Sequence, residues 1–131
     1  MRVDDGRQCP CSSGQRYEQC CGPLLTGVEP ATSAEALMRS RYTAYVEENA
    51  AYLRATWHPD HRPPDAEAVD GQKWLGLKII SAREIGDEAT VDFVARFKVE
   101  GRGHRLHEVS QFVREDGRWY YTTGEIQEDS R

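Results

Sequence analysis

Val91-Asp92-Phe93-Val94-Ala95-Arg96-Phe97-Lys98-Val99 is the stretch on which the fold turns. Its odd positions are all apolar and the positions between them mostly polar, so the period is two and the reading is a half-buried strand. Turn formers bracket it, Gly86-Asp87-Glu88 before and Gly101-Arg102-Gly103 after. Forward of it, His104 to Glu115 reads as a third strand. Asp116-Gly117 is a two-residue hairpin signal, and Arg118 to Glu125 is the last strand. Behind it, Trp74 to Ile85 contains the first. With Asp116-Gly117 as the loop, Glu115 pairs with Arg118 and Phe112 lies opposite Tyr121. One face then carries Glu108, Ser110, Phe112, Trp119, Tyr121 and Thr123; the other carries Val109, Gln111, Val113, Tyr120 and Thr122. A regular three-residue loop at Gly101 to Gly103 sets Arg96 beside Glu108. Either face can be the concave one, because a single bulge reverses the assignment.

Upstream of the strands the period is helical. Thr32-Ser33-Ala34-Glu35 fits a capping box, with Thr32 as the N-cap and Glu35 reaching back. Leu37, Met38, Tyr42, Tyr45 and Val46 then form one apolar stripe, with Arg39, Glu47 and Glu48 on the other side. A short second helix is expected from Ala50 to Thr56, stopping before Pro59. Residues 59–71 carry Pro59, Pro63 and Pro64 and read as a loop, with a turn of helix at Ala66 to Val69. Helices first and an antiparallel meander afterwards make an α+β fold, with the helices on one face of the sheet.

All four cysteines lie near the start, in Cys9-Pro10-Cys11-Ser12-Ser13-Gly14-Gln15-Arg16-Tyr17-Glu18-Gln19-Cys20-Cys21-Gly22. They form two close pairs, a C-x-C and a C-C. Pro10 fixes the backbone angle between the first two, and Ser12, Ser13 and Gly14 form a turn. Four thiolates around a tetrahedral ion make a closed, structural zinc site, so one structural zinc per chain on Cys9, Cys11, Cys20 and Cys21 is the reading preferred. Three alternatives stay open: two disulfides, an iron–sulfur cluster, or a redox-active thiol pair. Disulfides confined to one corner would staple little of the chain. Gly22 to Pro30 reads as a linker that packs through Leu24 and Leu25.

Composition limits the function classes. The chain has 131 residues, which suits a single core, with 38% hydrophobic and 30% charged residues and a mean hydropathy of −0.75. A net charge of −5 and a pI near 5.4 argue against nucleic acid as a partner. No apolar run reaches the length needed to span a bilayer. With no apolar leader, the cytoplasm is the expected compartment, where thiols stay reduced.

Cys9-Pro10-Cys11-Ser12-Ser13-Gly14, Tyr17 and Cys20-Cys21-Gly22 together resemble the SEC-C motif, a zinc-binding motif named for the C-terminus of the SecA translocation motor. The usual pattern has Gly where this chain has Ser12, which leaves the four ligands in place. Ala36-Leu37-Met38-Arg39-Ser40-Arg41-Tyr42-Thr43-Ala44-Tyr45, Thr56-Trp57-His58-Pro59 and Asp116-Gly117-Arg118-Trp119-Tyr120-Tyr121 resemble the YchJ-like proteins of bacteria. That resemblance covers nearly the whole chain. It implies a SEC-C zinc-binding motif and linker over 1–29. Over 30–131 it implies a nuclear transport factor 2-like (cystatin-like) cone, with N-terminal helices packed on a curved antiparallel sheet. It implies no reaction.

Two functions follow. In the preferred one the zinc knuckle presents Gln15, Arg16, Tyr17 and Glu18 to another protein, by analogy with the SecA tail. In the alternative the cone binds or converts a small molecule, with Arg39, Tyr42, Trp57, His58, Glu108, Ser110, Trp119 and Tyr121 as the pocket candidates. Each candidate also has a plain reading. His58 ends a helix, Glu108 pairs with Arg96, Arg41 answers a carboxylate as readily as an anion, and Tyr42, Tyr45, Trp74 and Trp119 fill the core. His104 and His107 are expected in solvent. The chain shows no nucleophile–base pair, no phosphate loop and no histidine metal triad, so no residue is assigned to catalysis. An open cone with Glu108 inside favours the second function; a cone plugged by aromatic side chains favours the first.

Overall fold

The computed structural model describes residues 7–62 and 72–127. The turn expected at Ala66 to Val69 lies outside them. A turn of 3-10 helix at Tyr17–Gln19 and the short helix α1 (Gly22–Leu25) follow the first cysteine pair. Helices α2 (Ala34–Val46) and α3 (Ala50–Ala55) come next. Strands β1 (Gln72–Ile85), β2 (Glu88–Val99), β3 (Arg102–Glu115) and β4 (Arg118–Ile126) then form one antiparallel sheet in the order β1-β2-β3-β4.

The cap of α2 sits one residue later than the sequence suggests. Ser33 is extended and its Oγ accepts from Ala36 N at 3.0 Å. Glu35, freed from the capping role expected of it, pairs with Arg39 one turn on at 3.1 Å. The Ala34 N–H goes instead to Glu84 Oε2 of β1 at 2.9 Å, which ties the start of the helix to the sheet. Asn49 caps α3 by accepting from Tyr52 N at 3.0 Å. The chain leaving α3 lies along the outer edge of β4: His58 N donates to Tyr121 O at 2.8 Å and Tyr121 N to Thr56 O at 2.9 Å. That covers an edge otherwise open to pairing.

The last hairpin has the expected register, Glu115 with Arg118 and Phe112 with Tyr121. Asp116 and Gly117 both have positive φ, 53° and 79°, as a type I′ turn requires. The loop before β3 differs from expectation. It is Glu100-Gly101, with φ of 52° and 81°, and not Gly101 to Gly103. A two-residue loop puts Arg96 opposite Arg105 and Glu108 opposite Phe93, so the expected Arg96–Glu108 pair does not form. Likewise Glu88 belongs to β2 and not to the turn before it. A bulge in β4 pairs Gln111 with Thr123, leaves Thr122 as the extra residue, and turns Thr123 away from the face that holds Tyr121. Irregularities at Leu75 and Ile80 bend β1. The sheet therefore curls around α2.

The core is one cluster. Leu37, Met38 and Tyr42 of α2 pack against Leu77, Val91, Phe93, Ala95, Phe112 and Trp119, and Cys9, Cys11 and Cys21 belong to the same cluster. Val46, the last residue of the expected stripe, is exposed.

Candidate functional sites

Two sites share α2, Arg39 and Thr43 serving the first and Met38, Arg41, Tyr42 and Tyr45 the second. The first is the cysteine cluster. Cys9 N donates to Gln15 O at 2.9 Å and Ser12 N to Cys9 O at 3.2 Å, which folds the first pair into a tight turn. Ser12 has φ of 69° and Gly14 of 86°. The left-handed backbone at Ser12 explains why glycine is usual there, and here Ser12 Oγ accepts from Leu77 N at 3.2 Å. Cys20 and Cys21 lead into α1. All four sulfurs lie within 4.8 Å of one another, a spacing that can hold a metal ion. Cys11 and Cys20 stand 3.6 Å apart and Cys20 and Cys21 3.9 Å. All four cysteines are free, so no disulfide links them.

The cluster leans on α2. Arg39 Nη1 donates to Cys11 O at 2.9 Å and lies 3.9 Å from its sulfur. Thr43 Oγ1 is 3.8 Å from Cys9 Sγ, and Ser13 Oγ is 3.3 Å from Cys20 Sγ. The thiols perturb one another strongly. Hydrogen bonds from Cys21 and Cys9 hold Cys11 far below the ordinary thiol range, the bond to Cys11 raises Cys21, and burial pushes Cys20 up to about 11.

The second site is a cavity of about 240 Å³ inside the cone. Tyr42, Trp57, Glu108, Ser110 and Tyr121 of the candidate set line it. The other three lie elsewhere. Arg39, next to Met38 of the lining, turns away from the cavity and serves the cysteines. His58 follows Trp57 on the opposite side of the chain. Its Nδ1 accepts from Asp60 N at 3.1 Å, which makes Nε2–H the donor to Glu115 Oε2 at 2.8 Å. Trp119 is in the core beneath α1, and its buried Nε1 has no partner among the described residues. Of the histidines of β3, His104 is exposed as expected, stacked on Phe97 at 5.2 Å, while His107 is half-buried and its Nε2 meets Asp92 Oδ1 at 2.7 Å.

Sequence reasoning left Arg41 outside the pocket set. It lines the cavity and is 3% exposed. Its guanidinium lies 4.5 Å over the Tyr121 ring and 5.5 Å from that of Trp57. Burial lowers its pKa, against the pull of Glu108 and three tyrosines. The signal was present in the helix: Met38, Arg41, Tyr42 and Tyr45 share one face by their spacing, and an arginine inside an apolar stripe demands a partner. Gln72 and Trp74 complete the rim, Trp74 packing on Tyr42 at 5.5 Å and on Phe97 at 5.0 Å. Burial raises both Tyr42, to about 12, and Tyr121.

Glu108 Oε2 accepts from Ser110 Oγ at 2.7 Å and from Tyr121 OH at 3.4 Å. Room for this carboxylate comes from Gly124 across the strand. A Cβ there would overlap Glu108 Oε2 and meet its Cδ at 2.6 Å and the Tyr121 oxygen at 2.8 Å. Gly124→Ala is therefore expected to swing Glu108 away from Ser110 and Tyr121. Because the displaced group is the end of a flexible side chain, stability should fall by only about 1 kcal/mol. A crystal structure of the variant checks this; an unmoved Glu108 would contradict it.

Comparisons with known proteins bear on both sites. A family model described as YchJ, middle NTF2-like domain, matches residues 33–124. A UPF0225 protein of Cupriavidus metallidurans is 50% identical over 127 residues, covering 92% of this chain and 89% of its own. A UPF0225 protein of Bordetella pertussis is 50% identical over 123 residues, covering 90% and 92%. Among solved structures, a SEC-C motif containing protein from Rhodopseudomonas palustris superimposes with a TM-score of 0.84 at 39% identity, covering 92% of this chain and 98% of that one. A second SEC-C motif containing protein, from Psychrobacter arcticus, gives 0.79 at 26% identity, covering 99% and 88%. No helix among the described residues is long and apolar enough to cross a membrane.

Proposed function

The chain belongs to the YchJ-like family of UPF0225 proteins, and on that footing we propose that it is a small-molecule-binding protein whose cone is pinned at one end by a structural zinc. The observation that carries the binding role is the cavity: about 240 Å³ of space, aromatic walls, and inside them a buried cation, Arg41, and a carboxylate, Glu108. A core meant only to be filled has no use for either charge. Cavities of this kind, apolar with a few placed polar groups, are how small ligands are held. This reading reverses the preference for protein docking, which rests on motif analogy alone; in the loop concerned Arg16 pairs with Glu18 at 3.4 Å.

Zinc suits the cysteines. Four thiolates at about 2.3 Å from one ion stand about 3.8 Å from one another in a tetrahedron, and the sulfur separations of 3.6 and 3.9 Å bracket that value. A closed set of sulfurs leaves no position for a reacting water, so the ion's role is structural. Arg39, on the Cys11 carbonyl, is the outer support that orients a ligand.

Titration with phenol, followed by tryptophan fluorescence, tests the cavity. Trp57 and Trp74 line it and Trp119 does not. A saturable change is expected in the wild type and not in the Trp57→Phe/Trp74→Phe double variant. No saturable change in the wild type with phenol, benzoate, 4-hydroxybenzoate or its methyl ester, or the same change in the double variant, would overturn the binding role.

A further inference from the structure

The donors and acceptors left over inside the cavity define what it would hold. Arg41 Nη1 donates to Leu53 O at 2.9 Å and to Thr56 Oγ1 at 2.7 Å. Those two bonds use both Nη1 hydrogens. Nε and Nη2 make no hydrogen bond among the described residues, and Tyr121 covers a face of the guanidinium and not its edge. What remains is the side-on Nε/Nη2 edge, two parallel N–H donors in one plane. That is the geometry that takes a carboxylate by both oxygens. A lysine in this place would offer charge without the fork.

The remaining acceptors are the complement. Glu108 takes Ser110 and Tyr121 on Oε2, and its Oε1 has no partner among the described residues. Gln72 Oε1 is buried with none either. Both residues line the cavity. An unpaired buried acceptor such as Gln72 Oε1 is costly, and a guest that donates to it removes the penalty. Between these groups the walls are aromatic, and flat apolar bodies pack on them.

Resting on the reading of the cavity as a binding site, we propose that its ligand is a small carboxylic acid with a flat apolar body and a hydroxyl or amino donor. The carboxylate sits on the Arg41 Nε/Nη2 edge and the donor faces the free acceptors. The size agrees, since 240 Å³ lies just below the roughly 300–1,000 Å³ of pockets for drug-sized molecules.

The test uses the intact zinc-loaded protein and four probes: 4-hydroxybenzoate, its methyl ester, benzoate and phenol. Tryptophan fluorescence gives affinities, and the Arg41 Nε–H resonance in a proton–nitrogen spectrum reports on the fork. The acid should bind about tenfold or more tightly than its ester. Benzoate should fall below 4-hydroxybenzoate, and only the two acids should shift the Arg41 signal. Arg41→Met should erase the preference for acid over ester. Because Arg41 also bonds Leu53 and Thr56 at the end of α3, that variant can fail to fold; the acid–ester pair on the wild type then decides alone. Equal binding of acid, ester and phenol would overturn the carboxylate assignment and leave the binding role standing. Failure of all four probes to bind would overturn both.

Discussion

Cys11→Ser is expected to release the metal and to lower the melting temperature of the whole chain by about 10 °C or more, in one transition. Cys11 is fully buried. Its carbonyl holds Arg39 of α2, Thr43 of the same helix touches Cys9, and Ser12 ties the turn to β1. The cysteines thus share a core with Leu37, Tyr42 and Leu77. A segment with so little apolar surface of its own draws its order from the ion, whose binding contributes on the order of 10 kcal/mol to such folds. Passing even about 3 kcal/mol of that loss to the shared core gives the stated shift for a domain of this size. Calorimetry with zinc analysis on the same sample checks it. An unchanged main transition, with only residues before α2 disordered, would mean the shared core is not cooperative.

Phe112→Ala should cost about 3–5 kcal/mol, the range for emptying an aromatic from a core. Phe112 is 1% exposed and meets the Tyr121 ring edge-on at 5.7 Å. It stands opposite Ala89 on one side and Tyr121 on the other, so no neighbouring strand can close over the gap. Since a domain has only about 5–15 kcal/mol in all, much of the stability goes with this one ring. Urea unfolding measures it. A loss below about 1 kcal/mol would show that the sheet's concave face is not the centre of the core.

Much of this architecture was legible because local chemistry decides it. Asp116-Gly117 admits one tight turn, and that turn fixes the pairing of Phe112 with Tyr121. The cysteine spacing announced a four-sulfur cluster before any fold was known. The errors arose where two local solutions differ by one residue. Gly101-Arg102-Gly103 offered glycines for the loop, yet Glu100 takes the left-handed position itself. That single step moved Arg96 away from Glu108. Ser33 took the cap from its neighbour Thr32 because β1 supplied Glu84 to the next N–H. The bulge at Thr122 leaves no mark in composition. At the sites the error was one of helical phase. Arg39 and Arg41 sit two residues apart, so they point to different neighbours, one to the cysteines and the other into the cone. That α2 serves both sites follows from tertiary packing and has no counterpart in the motif.

Native mass spectrometry of protein made in minimal medium, purified without chelator or added metal, tests the zinc-pinned cone most directly. The account predicts the mass of one zinc on a chain with four intact cysteines. A chain lighter by four protons and free of metal, the signature of two disulfides, would contradict it.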